Sequence, residues 1–110
     1  MPYYLHQWNY KDAQVHKMVT EPQDRSEIVR VATEAFGGTL HQFFFCLGEH
    51  DGVSISEFPD NETALACLMS IFAEGRLQSI KTTVLFTSEQ SQLAMQKARD
   101  VIQSPAPRQD

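Results

Sequence analysis

The sequence predicts an α+β domain in which two helices cover one face of a four-stranded antiparallel sheet. Three observations carry that expectation. First, a glycine-acid turn, Gly48-Glu49-His50-Asp51, leads into an alternating run, Val53-Ser54-Ile55-Ser56, that stops at Pro59. Second, apolar residues recur at helical spacing on both sides of that centre, over Ile28, Val31, Ala32 and Ala35 and again over Ala64, Cys67, Leu68, Ile71 and Phe72. Third, the flanks hold β-rich runs, an aromatic one from Pro2 to Tyr10 and one rich in Thr, Val and Ile from Gln78 to Phe86.

Taken in order, Pro2 to Tyr10 is the first strand, and Asp12 is placed to cap a short helix over Ala13 to Met18. Pro22 interrupts that helix and restarts it, because proline is tolerated only in a first turn. The helix from Asp24 onward ends at Gly37-Gly38, a pair suited to a C-terminal stop. Strand two covers Thr39 to Leu47 and strand three Gly52 to Phe58, joined by the turn Gly48 to Asp51. Asp60 or Asn61 caps the next helix, which ends at Gly75. After the fourth strand, Thr87 and Gln90 have capping-box spacing, and Leu93, Ala94, Ala98 and Val101 mark a last amphipathic helix. The order is βαββαβ plus a C-terminal helix, the ferredoxin-like plan, expected as one domain over residues 1–103. Residues 104–110, with Pro105 and Pro107, are expected to be a frayed tail.

Composition narrows the function classes. At 110 residues the chain is long enough to bury a core without disulfides or metals. A net charge of −5 and nine scattered Lys and Arg residues argue against nucleic acid or an anionic membrane as partners. The longest wholly apolar run, Phe43 to Leu47, is too short to span a bilayer, and Met1 to Tyr4 lacks the features of a secretion signal. A cytoplasmic location is the resulting expectation. Cys46 and Cys67 sit in apolar sequence and are expected to be buried thiols.

Side chains of a strand alternate faces, so the residues can be sorted by parity. Pairing across a turn at Gly48 to Asp51 sets Leu47 opposite Gly52, Phe45 opposite Ser54 and Phe43 opposite Ser56. Cys46, Val53, Phe44 and Ile55 then share a continuous apolar surface, the one suited to packing under helices. The other surface carries His41, Phe43, Phe45, Ser54 and Ser56, with Tyr4, His6 and Trp8 from strand one and Thr82 and Val84 from strand four. That mixture suits an uncovered face that pairs with a second copy and encloses a pocket. Trp8, His41, Phe43 and Phe45 are the expected pocket walls, with His6 and Ser54 as polar contacts and a small aromatic or acyl compound as ligand.

Gly48-Glu49-His50-Asp51 followed by Val53 to Asp60 resembles the signature of the GYD domain family of bacterial proteins. Pro2, Tyr4, Asn9-Tyr10 and Asp12 match its opening, and Gly37-Gly38, Leu47-Gly48, Glu57, Pro59, Thr82 and Phe86-Thr87 match later landmarks. Two residues depart: His50 stands in the tyrosine position and Gly52 replaces an apolar residue. The resemblance implies a ferredoxin-like domain of the dimeric α/β-barrel type, hence a homodimer or larger assembly, and brings no activity with it. The ligand-binding domain of leucine-responsive regulators is similar in fold, although no DNA-binding helix pair precedes the domain here.

No catalytic constellation follows from the sequence. His6, His16, His41 and His50 lack tight ligand spacing, so neither a metal nor a cofactor is expected. A His6, His41 and carboxylate site is the weaker metal alternative. His50 is read as a structural substitute that stacks and hydrogen-bonds in place of tyrosine. Arg76 and Lys81 are candidates to meet an anionic ligand, with plain surface positions the commoner outcome. Related barrels include cofactor-independent monooxygenases, and Trp8, Asn9, His6 and His41 are the residue types such cavities use. A small-molecule-binding module is the first reading, that enzyme the second and a purely structural oligomerisation protein the third.

Overall fold

The computed structural model describes residues 1–105, so residues 106–110 of the expected 104–110 tail lie outside the described residues. Eight elements follow one another: β1 (Tyr3–Tyr10), α1 (Asp12–Thr20), α2 (Arg25–Ala35), β2 (Thr39–Phe45), β3 (Gly52–Glu57), α3 (Asn61–Ala73), β4 (Leu77–Leu85) and α4 (Ser88–Ile102). Among the described residues the strands form one antiparallel sheet in the order β2-β3-β1-β4. The α+β class and the four-stranded sheet are as the sequence predicts.

Helix starts follow side-chain chemistry. Asp24 accepts from the Ser26 amide at the head of α2, and Asp60, rather than Asn61, accepts from the Thr63 amide at the head of α3. Thr87 and Gln90 close the reciprocal capping box of α4. At α1 the expectation fails: Lys11 occupies the cap without a side-chain bond, and Asp12 is the first helical residue. Its carboxylate still sits favourably at the positive end of the helix dipole.

The β2–β3 connection is longer than expected. β2 ends at Phe45, so Phe45 pairs with Gly52, Phe44 with Val53 and Phe43 with Ser54. The register thus differs from the predicted one by two residues, which preserves parity. Asp51 explains the longer loop. Its backbone amide donates to the Trp8 carbonyl and to Asn9 Oδ1 (2.9 Å each), and its Oδ2 accepts from the Tyr10 amide at 2.8 Å. The aspartate of the turn motif therefore clips the loop to the end of β1.

The larger correction concerns which face is covered. Tyr4, His6 and Trp8 of β1 and Gly52, Ser54 and Ser56 of β3 are all buried, while the intervening Leu5, Gln7, Val53 and Ile55 are only partly so. Tyr4 and Phe58 pack with Ala64 and Cys67 of α3, and Phe36 and Ile71 join them. The helices thus cover the face with imidazole and hydroxyl groups, and the Val53, Ile55 and Phe44 surface is left open. Hydrogen bonds make this possible. Tyr4 Oη donates to Asn61 Oδ1 at 2.6 Å, and both ring nitrogens of His6 find hydroxyls. A buried polar group with partners costs little.

α4 buries none of its fifteen residues, and Leu93, Met95, Val101 and Ile102 are all exposed. The molecule extends over 66 × 28 × 23 Å with a radius of gyration of 18.4 Å, against about 13 Å for a compact chain of this length. The last helix projects from the body instead of completing it. None of the described helices is long and apolar enough to cross a membrane.

A chamber between the sheet and the helices

A cavity of about 270 Å³ lies between the covered face and helices α2 and α3. Its floor is His6, Trp8 and Tyr10 of β1, Ser54 and Ser56 of β3, and Leu77 and Ile80 of β4. α2 supplies Arg25, Ile28, Val29, Ala32 and Thr33, and α3 supplies Cys67, Leu68 and Ile71. The spacings follow from helix geometry: residues three, four and seven apart share a face, so Ile28, Ala32 and the cation Arg25 look the same way. The lining is mostly apolar, with a few polar groups in fixed positions, the usual make-up of a small-molecule site.

His6 is the most constrained of those polar groups. Its Nδ1 lies 2.9 Å from Thr82 Oγ1 and its Nε2 2.8 Å from Ser56 Oγ. Burial alone pushes its pKa from 6.5 down to about 4, so the ring is neutral at physiological pH. A neutral imidazole donates at one nitrogen and accepts at the other. One hydroxyl therefore receives a proton from His6 and the other gives one. Burial also pushes the Cys67 thiol up to about 11, which leaves it protonated and unreactive.

Trp8 depends on a glycine. A methyl group at Gly52 would fall on the Trp8 indole, so the bare backbone of β3 is what lets the ring lie flat in the chamber wall. Behind it, Phe43 stands 5.5 Å from Trp8, and Phe45 is 5.7 Å from Phe43 and 6.2 Å from Tyr10. The expected site residues thus separate into groups. Trp8, His6 and Ser54 line the chamber, while Phe43 and Phe45 back its aromatic end without lining it.

His41 is not part of the site. β2 pairs Leu40 with Ser56 and Gln42 with Ile55, so a bulge at His41 turns it to the open face. There its Nε2 meets Glu57 Oε1 at 2.6 Å and its ring lies 5.5 Å from Tyr3. Asn9 is committed to the Asp51 amide, so the set Trp8, Asn9, His6 and His41 does not converge. His50 also departs from its expected role: Nδ1 is buried without a hydrogen-bond partner, and the ring stacks on no described aromatic residue. Lys81 is exposed opposite Gln7, whereas Arg76 lines the chamber. Among the described residues, no three His, Cys, Asp or Glu side chains gather where they could hold a metal ion.

Sequence reasoning missed Arg25, Thr33, Cys67 and Ile80 as wall residues. The signal available for Arg25 was its place on the apolar stripe of α2, one turn ahead of Ile28 and Val29.

An antiparallel sheet with helices on one face and a hollow beneath them defines a ferredoxin-like α+β domain. Residues 4–95 match the GYD domain, and the chain belongs to that family. Among solved structures it is similar to MtbAldR, with a TM-score of 0.59 at 14% identity over 79% of this chain and 53% of that one. The chain therefore spans about half the length of MtbAldR. It is also similar to At3g17210 from Arabidopsis thaliana, with a TM-score of 0.52 at 9% identity over 80% of this chain and 96% of that one. Both likenesses are likenesses of fold. No curated protein matches the sequence.

Proposed function

We propose that the protein is a homodimeric small-molecule-binding module whose ligand occupies the chamber between the sheet and α2 and α3. The observation that carries this reading is the chamber itself. At about 270 Å³ it exceeds the roughly 150 Å³ cavity that accommodates benzene, and it approaches the ~300–1,000 Å³ usual for ligand sites. A short acyl chain or a single aromatic ring fits the scale and the lining.

The dimer is supported by the open face. Leu5, Val53 and Ile55 stand partly exposed beside Phe44, which is 57% exposed, and both α2 and α3 lie on the opposite side. An isologous pairing of two such faces would cover a contiguous apolar surface that otherwise meets water. It also moves the predicted interface from the Phe43 and Phe45 surface to the Phe44 and Ile55 surface. The ligand site then sits within each protomer and not between the two sheets.

Two measurements test the two halves. Trp8 is the only tryptophan and lines the chamber, so octan-1-ol is expected to perturb its emission saturably. Ala32→Leu, which fills the chamber from α2, is expected to abolish that response while raising thermal stability. Sedimentation is expected to give a dimer, and Ile55→Asp a monomer, because burying an unpaired carboxylate costs several kcal/mol, roughly. A wild-type monomer at micromolar concentration would remove the dimer and leave the chamber standing.

A further inference from the structure

A second hollow, of about 160 Å³, adjoins the chamber and shares Arg25, Ile28 and Arg76 with it. Lys17 of α1 also lines this outer hollow. Three of the nine Lys and Arg side chains of an acidic protein thus surround one passage. The carboxylates facing them are Glu21, in the outer hollow, and Glu74, whose Oε2 is 3.1 Å from Arg76 Nη1. Arg76 is therefore partnered. Arg25 is different: its Nε is buried and has no hydrogen-bond partner. A buried donor on a charged group rarely goes unused, because the desolvation it suffers is repaid only by an acceptor. Arg25 lines both the apolar chamber and the outer hollow, where the two adjoin.

We propose that the ligand is a small anionic amphiphile, with its apolar body in the chamber and its acidic group, a carboxylate or a similar oxyanion, held by Arg25. This inference rests on the reading of the chamber as a ligand site. Guanidinium matches a carboxylate through two parallel N–H donors, and a charge-assisted bond of that kind out of bulk water is among the stronger polar contacts. Lys17 adds long-range attraction without direct contact, whereas the charge of Arg76 is offset by Glu74. The ligand body is bounded by Trp8 and Ile80 on the sheet side and by Ala32 on the helix side.

The test compares octanoate with octan-1-ol, which share a chain and differ in charge, using Trp8 emission and calorimetry on the full chain. Octanoate is expected to bind about tenfold or more tightly than the alcohol, and added salt is expected to narrow the difference. Arg25→Gln should erase the preference for octanoate over the alcohol, whereas Arg25→Lys should restore part of it. Equal affinity of the wild-type protein for both compounds would overturn the assignment of an anionic ligand and leave the chamber reading intact. Binding of neither compound would overturn both. If Arg25→Gln does not fold, the wild-type comparison and its salt dependence decide the matter alone.

Discussion

Acidification acts on the chamber through His6. The ring is 6% exposed, held between Thr82 and Ser56, and burial keeps its pKa near 4 against an ordinary value of 6.5. A protonated ring must donate at both nitrogens, and its charge is poorly solvated among Phe58, Tyr4 and the chamber wall. As pH falls through 6.5 the unfolded chain takes up a proton that the folded chain refuses until about 4. Stability therefore falls with pH across that window and levels off below it. The interval corresponds to roughly 3 kcal/mol in total, at about 1.4 kcal/mol per pH unit at its steepest. Asp24 and Asp60, whose carboxyls are held below the ordinary 3.8 mainly by bonds from Ser26 and Thr63, lose their contribution only at lower pH. Urea denaturation at several pH values, for the wild type and for His6→Gln, isolates the effect, because glutamine hydrogen-bonds without titrating. The wild type should lose stability between pH 6.5 and 4 and the variant should not. Equal slopes, or a His6 ring seen by NMR to titrate near 6.5, would refute the reasoning.

Other expectations concern the walls and the turn. Cys67, 1% exposed with its thiol pushed up to about 11, should resist a thiol reagent in the native state, whereas Cys46, which is partly exposed, should react first. Fast native labelling of Cys67 would contradict a closed wall. Gly52→Ala should displace Trp8, shift its emission and cost about 1–3 kcal/mol in denaturation, because the new methyl has nowhere to go. Asp51→Ala removes the acceptor of the Tyr10 amide and should cost about 1–3 kcal/mol, with faster hydrogen exchange at Tyr10; unchanged exchange there would refute the clip.

Much of the fold was legible because it is written in local signals. Apolar spacing gave α2 and α3, Thr87 and Gln90 gave the start of α4, and alternation sorted β1 and β3 by face. Parity survived even an error of two residues in the β2–β3 register, since a two-residue slip returns each side chain to its face. What parity lacks is a sign. Val53, Ile55 and Phe44 look like the covered set by hydrophobicity, yet Tyr4, His6, Ser54 and Ser56 are the buried ones. The contrary signal lay in complementary partners: His6 has a hydroxyl available on each neighbouring strand, Ser56 and Thr82. His41 was misplaced because a bulge has no glycine or proline to announce it there. Arg25 went unnoticed because an arginine in a first helical turn is ordinary until the cavity beside it is known.

The central claim is that the functional hollow lies under the helices and not on the open sheet face. An amide and methyl NMR titration with octanoate tests it most directly. The account predicts saturable shifts at Trp8, Ala32, Ser54 and Ile80, with Leu5, Val53 and Ile55 unmoved. Shifts confined to Leu5, Val53 and Ile55 would contradict it and return the ligand to the face between two sheets.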